Sequence, residues 1–441
     1  MTRPRAVVIG AGFCGLTAAY ELAKHGVAVT VLEADSEIGG LAGSFVVNGT
    51  RLEKFYHHWF TSDRHISDLI AELKATDELV LRATRTGLYY ANNFFRLSSP
   101  MDVLRFTALP PIDRIRLGML AIRARGVKDW RSLEQTTAAC WLRRLGGDKV
   151  YQVIWEPLLR GKFGAYADEI SAVWFWNKLK LRGGSRRSDG AEQLAYYRGG
   201  FSALVERLAA EIRAHGGEIR TSAGAQKIVV SGDKASGVLV DGELIPADIV
   251  IATPALPIVA ELLQGQTSAD YISSLTRIQY LANVCLVLEL DRSLSETYWL
   301  NVNDPSFPFV GVIEHTNFES AESYGGRHLV YLSKYLSPYD DLFRMSLEEI
   351  VQYTLPYLKQ MFPAFSQEWI YKTHLWKARY SQPVVERGYS QLIPPHRTHI
   401  EGLFLASMAQ VYPEDRGTNY AVREGKLVAN LARTTALKQA S

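Results

Sequence analysis

Hydrophobic positions change their period several times along the chain, and each change marks an element. Ala6-Val-Val-Ile9 is a short apolar run of the kind that forms a buried parallel strand. Leu16 to His25 has helix-forming composition, and Gly26 ends it as a C-cap glycine. A second apolar strand, Ala28 to Leu32, leads into Glu33. Residues 64 to 82 read as a helix packed on this first unit. Residues 98 to 195 read as largely helical, with Trp141, Trp155, Trp174 and Trp176 as core or pocket aromatics. From 225 the pattern becomes a meander: Ile228 to Val230, a Gly-Asp turn at 232 to 233, Gly237 to Val240, an Asp-Gly turn at 241 to 242, then Ile249-Val-Ile-Ala-Thr-Pro254. Val284 to Leu290 and His328 to Leu332 read as strands and 346 to 363 as a helix. A last apolar strand, residues 402 to 407, precedes a helix running to about Leu437.

Composition narrows the class. With 441 residues, two or three packed regions are expected. A hydrophobic fraction of 47% and a charged fraction of 22% exclude disordered and fibrous classes. The net charge of +3, with no long run of like charges, gives no footprint for a nucleic-acid partner. Cys14, Cys140 and Cys285 are far apart and lack CxxC or histidine partners, so no metal site is expected and a reducing, cytoplasmic setting is. The N-terminal residues do not read as a signal peptide, and no apolar stretch is long enough to span a bilayer. Leu104 to Lys128 mixes apolar residues with Arg105, Arg114, Arg116, Arg123, Arg125 and Lys128. It reads as a solvated surface helix, with a helix laid on an anionic membrane as the alternative.

The candidate chemistry starts where the first strand ends. Gly10-Ala11-Gly12-Phe13-Cys14-Gly15 is GxGxxG placed between a strand and a helix. Gly10 suits the tight turn, Gly12 lets backbone amides approach a pyrophosphate, and Gly15 lets helix and strand pack closely. The phosphates would sit at the helix N-terminus, and Glu33 lies where a carboxylate can accept from ribose hydroxyls. NAD and FAD both fit this much. Glu33-Ala34 continues to Gly39-Gly40-Leu41-Ala42-Gly43-Ser44, and this resembles the second signature of the FAD-binding family that includes monoamine oxidases, protoporphyrinogen oxidases, phytoene desaturases and UDP-galactopyranose mutases. The resemblance implies FAD and a Rossmann-type, three-layer α/β domain like that of glutathione reductase. Beside it the resemblance implies a discontinuous mixed-sheet substrate domain and a helical subdomain. In numbers, cofactor-binding parts are expected at 1–75, 196–260 and 396–441, a mainly helical substrate region at 76–195, and a mixed α+β substrate domain at 261–395.

The same resemblance assigns further cofactor contacts to Ile228 or Val229 over the adenine, to Ala252-Thr253-Pro254 at a strand end, and to Ser407, Gly417, Thr418, Asn419 and Tyr420 near the flavin ring. Ala406-Ser407 stands where many members carry Gly-Asp. No cysteine follows Cys285, so the thioether of monoamine oxidases is not expected and the FAD is read as non-covalent. His58, in Lys54-Phe-Tyr-His-His58, and Glu314-His315 are similar to mutase positions and are the catalytic candidates. Gly311 and Met408 stand where mutases carry the arginines that grip a diphosphate, which leaves Arg416 for another anion.

The reading that follows is an FAD-dependent oxidoreductase with hydride transfer from a small molecule to flavin N5. A mutase-like, non-redox use of the flavin on a sugar and a non-catalytic flavin-binding protein are the alternatives. Sugars and isoprenoid-linked compounds are the substrate options. The oligomeric state stays open.

Overall fold

Alternate residues of the first strand enter different cores. Ala6 and Val8 pack with the helices Phe13–Lys24 and Thr418–Ala440, while Val7 and Ile9 pack with the meander. In the computed structural model, which describes residues 3–96, 100–184 and 193–440, this strand sits at the centre of a five-stranded sheet. The spatial order is Glu218–Arg220, Ala28–Leu32, Arg5–Ile9, Ile249–Ala252 and Leu403–Leu405, all parallel. Such strands read as continuous apolar runs because both faces are covered, here by helices on one side and the antiparallel strands Ala225–Ser231, Lys234–Val240 and Glu243–Pro246 on the other. The sheet therefore draws on both ends and the middle of the chain.

The C-terminal helix crosses the first helix at Gly425, where an added Cβ would lie 2.5 Å from the carbonyl of Cys14. That close approach seats the loop Glu414–Gly417 near the glycine-rich turn.

A second sheet has seven strands in the order Ile370–Pro383, Tyr280–Leu290, His328–Leu336, Gly311–Glu314, Trp299–Val302, Thr86–Tyr90 and Asn93–Arg96. Only Trp299–Val302 and Thr86–Tyr90 pair in parallel. Tyr280–Leu290 is buried along its whole length, between two partners and under the helix Leu347–Met361.

Two expectations are corrected. The helix expected over 64 to 82 spans only Arg64–Glu72; Lys74 takes a positive φ of 54°, and Leu79–Ala83 is a strand paired with Gln193–Tyr197. Residues 86–96, placed in a mainly helical region, supply two strands to the mixed sheet, with Tyr89 packed into the core of that sheet and Leu88 against Phe106 and Leu117 on its other face. Of the region 98–195, residues 98, 99 and 185–192 lie outside the described residues. The remainder is largely helical, as in Pro111–Arg125, Ala138–Gly146, Glu156–Phe163 and Ala172–Gly184. Among the described residues no helix is long and apolar enough to cross a membrane.

Candidate active site

The turn between the first strand and helix sets the floor of a cavity of about 490 Å³. Gly10 takes φ +99°, a conformation that glycine adopts at little cost, and its amide donates to Leu32 O at 2.8 Å. Gly12 caps the helix without any side-chain hydrogen bond, so the first-turn amides keep no side-chain partner. An added Cβ at Gly12 would meet nothing within 4 Å, so a side chain there would project into the cavity. At Gly15 the space is absent: a Cβ would lie 1.9 Å from Gly10 O. Glu33 is fixed by backbone donors, Ala11 N to Oε2 at 2.8 Å and Asp35 N to Oε1 at 2.9 Å, and faces the same cavity. An open cradle at Gly12, unpaired helix amides and a carboxylate at the strand end fit a dinucleotide.

Of the residues expected at the cofactor, Gly10, Gly12, Phe13, Cys14, Glu33, Ala34, Gly39, Gly40, Leu41, Ala42, Thr253, Pro254, Ser407, Gly417 and Thr418 line this cavity. Ala11, Gly15 and Ala252 lie behind the lining: Ala11 and Ala252 are fully buried, and Gly15 packs on Gly10. Ile228 and Val229 do not line it. Ile228 is fully buried beneath the meander, and the meander meets the cavity at Ala225 instead. Asn419 and Tyr420 also turn away: Asn419 Oδ1 accepts from Ile66 N at 3.1 Å, and the Tyr420 ring faces His65 and Arg423.

A second cavity of about 360 Å³ adjoins the first, and His57, Arg416, Gly417 and Thr418 line both. His57 comes from the segment after the strand Thr50–Glu53, Arg416 and Gly417 from the loop before the C-terminal helix, and Thr418 is the first residue of that helix. The His57 Nδ1–H donates to Phe55 O, which leaves Nε2 as an acceptor. Burial, helped by the nearby Arg416 charge, lowers its pKa to about 4, so the imidazole is neutral near pH 7. Thr418 Oγ1 accepts from Trp59 Nε1 at 2.6 Å, fixing the first residue of the helix.

The second cavity is aromatic and cationic. Tyr56, Trp155, Trp174, Phe175, Trp299 and Tyr335 supply walls; Lys162, Lys178 and Arg416 supply charge, faced by one carboxylate, Asp415. Asp415 Oδ2 accepts from Lys178 Nζ at 2.5 Å and lies 3.9 Å from Lys162 Nζ, and its Oδ1 accepts from Gln382 Nε2 at 3.1 Å. Burial alone would raise its pKa, but the charges of Lys178, Lys162 and Arg416 hold it well below the carboxylate range. Lys162 is lowered to about 7, mainly by burial and against the pull of Asp415. None of these four residues announces itself in sequence except Arg416, and His57 was passed over for its neighbour.

His58 lines the second cavity only, with Nδ1 at 3.0 Å from Tyr298 OH. Glu314 and His315, the other two catalytic candidates, line neither cavity. Glu314 accepts from Ser293 Oγ at 2.6 Å, Leu294 N at 3.2 Å and Ser295 N at 3.0 Å, tying a loop to the sheet. His315 Nε2 lies 2.9 Å from Tyr324 OH amid Tyr196, Phe318 and Tyr331. Gly311 lines the second cavity and Met408 the first, so both positions singled out in the sequence face the site.

A parallel sheet with a glycine-rich turn, a second sheet with its own cavity, and one C-terminal helix closing both define a two-domain dinucleotide-cofactor fold. The chain belongs to the flavin-containing amine oxidoreductase family, whose model matches residues 13–432. It is 26% identical to the mitochondrial protoporphyrinogen oxidase of Nicotiana tabacum over 38% of this chain and 34% of that one. It is 24% identical to the coproporphyrinogen III oxidase of Propionibacterium freudenreichii over 60% of this chain and 59% of that one. The matches thus span between a third and three-fifths of the length of these curated relatives. A crystal structure of reduced UDP-galactopyranose mutase superposes with a TM-score of 0.76 at 14% identity, covering 98% of this chain and 96% of the mutase, and so shares the fold.

Proposed function

We infer that the protein binds FAD non-covalently and uses it to oxidise a small molecule. The observation that carries this is the meeting of the two cavities at His57, Arg416, Gly417 and Thr418, which puts a cofactor cleft and an aromatic pocket in contact. Bound FAD supplies the hydride acceptor, N5, and molecular oxygen or another acceptor restores it. The chain supplies the rest. The Gly10–Gly15 turn and the uncapped helix amides hold the pyrophosphate, and Glu33 holds the ribose. The N-terminus of the C-terminal helix favours negative charge where the flavin ring would lie. His57, neutral and with Nε2 free to accept, can take a proton from the substrate. His58, held by Tyr298, orients the substrate, and the aromatic walls exclude water.

The test is anaerobic mixing of the purified yellow protein with candidate amines, carboxylic acids, sugars and isoprenoid-linked compounds. Loss of oxidised-flavin absorbance with a stoichiometric oxidised product is expected for one class. Turnover only after prior reduction and without net redox change would replace the reading by the mutase-like one. A protein that carries no flavin would overturn it altogether.

The helix Pro111–Arg125 favours a peripheral contact with an anionic bilayer. Asp113, Leu117, Leu120 and Ala124 bury one face, yet Ile112, Ile115, Met119 and Ile122 line the opposite face with exposures of 58%, 53%, 39% and 70%. Arg116 and Arg123 flank that stripe on one side and Arg114 and Arg125 on the other. An exposed apolar stripe between basic borders matches the boundary between headgroups and acyl chains, and it favours an isoprenoid-linked substrate.

A further inference from the structure

Three cations from three separate elements point into the second cavity: Lys162 from the helix Glu156–Phe163, Lys178 from the helix Ala172–Gly184, and Arg416 from the loop before the C-terminal helix. Asp415 is the one carboxylate among the lining residues. Its Oδ2 is shared by the two lysines, and its Oδ1 is taken by Gln382. Arg416 is not compensated in the same way. Its Nη2 donates to the Tyr335 hydroxyl at 2.9 Å, and its buried Nε has no hydrogen-bond partner. Lys162 is held over the Trp174 ring at 4.7 Å and the Tyr335 ring at 5.2 Å, and Lys178 over Trp174 at 5.5 Å. These contacts fix the ammonium groups among aromatic faces, but they do not neutralise them.

Positive charge in excess of carboxylate, set among aromatic walls, favours the entry of an anion. A protonated amine would enter against two lysines and an arginine, so the lining selects against the substrate type that the family's description would suggest. We propose that the pocket beside the flavin site takes a substrate with an apolar body and a carboxylate or phosphate group, the anion held by Lys162, Lys178 and Arg416. The proposal deepens the oxidoreductase reading by naming its substrate class.

Protonation adds a signature. Lys162 faces Asp415 and Arg416 from the loop, Lys178 from the neighbouring helix and Tyr335 from the sheet, and burial lowers it to about 7. Its charge is lost as pH rises through that value, so anion affinity falls from pH 6 to pH 8.5.

The experiment is a spectral titration of the flavin-loaded holoprotein with decyl phosphate, decanoate, UDP and decylamine. Decyl phosphate or decanoate should perturb the flavin spectrum saturably, and inorganic phosphate should compete. A response to UDP with none to decyl phosphate or decanoate would overturn the proposal, because a nucleoside diphosphate has no apolar body. Lys178→Gln should weaken anion binding about 10- to 100-fold, as expected for one charge-assisted contact, while Lys178→Arg retains most of it. In Lys162→Met the pH dependence between 6 and 8.5 should flatten. Flavin content and Tm of each variant separate misfolding from lost recognition. Tighter binding of decylamine than of decyl phosphate and decanoate would overturn the proposal, as would unchanged anion affinity in a folded Lys178→Gln. If anions bind but no compound bleaches the flavin, the pocket stands and the oxidoreductase reading falls. If an amine bleaches it and no anion binds, the reverse holds.

Discussion

Gly12 and Gly15 belong to one motif, yet their substitutions should fail in opposite ways. At Gly15 an alanine Cβ would lie 1.9 Å from Gly10 O and 3.1 Å from Gly10 C, with Thr253 Oγ1 at 3.2 Å. Those obstacles include the backbone of the turn that ends a central strand, so helix and sheet must separate by about 1 Å, at a cost of ~3 kcal/mol or more. Gly12 is different. Its φ of −78° and ψ of 177° suit any residue, and its Cβ would meet nothing. Stability then changes only by a weaker N-cap and a less flexible unfolded chain, terms of within ~1 kcal/mol and opposite sign. A side chain at Gly12 instead occupies the space a pyrophosphate needs, and losing one or two charge-assisted contacts weakens cofactor binding about 10- to 100-fold or more. Apoprotein Tm and flavin stoichiometry after refilling with FAD read the two effects separately. Gly15→Ala should lower the apoprotein Tm by roughly 5 °C or more; Gly12→Val should leave it nearly unchanged and come out colourless. A Gly15→Ala apoprotein of unaltered Tm, or a Gly12→Val protein with full flavin, would refute this account of the turn.

The other predictions concern pH, attachment and the membrane. His57 is half-buried and His315 buried, with pKa values lowered to about 4 and about 3 from the unfolded value of 6.5, so they bind fewer protons folded than unfolded. Their neutral forms are fully compatible with the fold above pH 6.5, and stability falls as pH drops from there toward 4, by ~3 kcal/mol for His57 alone. Chemical denaturation at pH 7 and pH 4.5 should show that loss, smaller in His57→Asn. Cys14 lines the cofactor cavity, but its thiol donates to Ala406 O at 3.2 Å and burial pushes its pKa up, so it should not alkylate the flavin. Acid precipitation should leave all yellow colour in the supernatant. Ile115→Glu with Ile122→Glu should lower sedimentation with vesicles of anionic phospholipid at least 10-fold, without changing flavin content, since burying each isoleucine contributes ~1.5 kcal/mol or more. Equal sedimentation by the double variant would leave the stripe to another partner.

Much of the cofactor side was legible because its signals are local. A strand, GxGxxG, a helix and Glu33 sit within one stretch, and the geometry of the turn follows from which positions lack a Cβ. Contacts made across elements were not legible. Whether Ile228, Val229 or Ala225 reaches the cavity depends on the register of the meander against the parallel sheet, and the strand interrupts its pairing between Ala225 and Lys227. His57 and His58 point to different surroundings because successive residues of an extended segment alternate in direction. Glu314 and His315 look catalytic as a dipeptide. The three donors on Glu314 and the aromatic cage of His315 come from other parts of the chain, and these tie the pair to a loop and to the aromatic core. The short strands Leu79–Ala83 and Gln193–Tyr197 were hidden for a related reason: each is defined by a partner more than a hundred residues away.

The charge of the substrate pocket is the strongest case. Lys162 and Lys178 lie on two separate helices, and the acidic residues nearest Lys162 in the chain, Glu156 and Asp168, pair with Arg160 instead. Their common partner, Asp415, arrives from the C-terminal loop, beside the residues that complete the cofactor cleft. Substrate charge and cofactor closure therefore depend on the same few residues: a change that shifts Asp415–Gly417 alters both. In a family named for amines, the formal charge lining this pocket is a more direct guide to the substrate than the name. That charge is set by where Asp415 ends, with one oxygen shared between two ammonium groups and none left for Arg416.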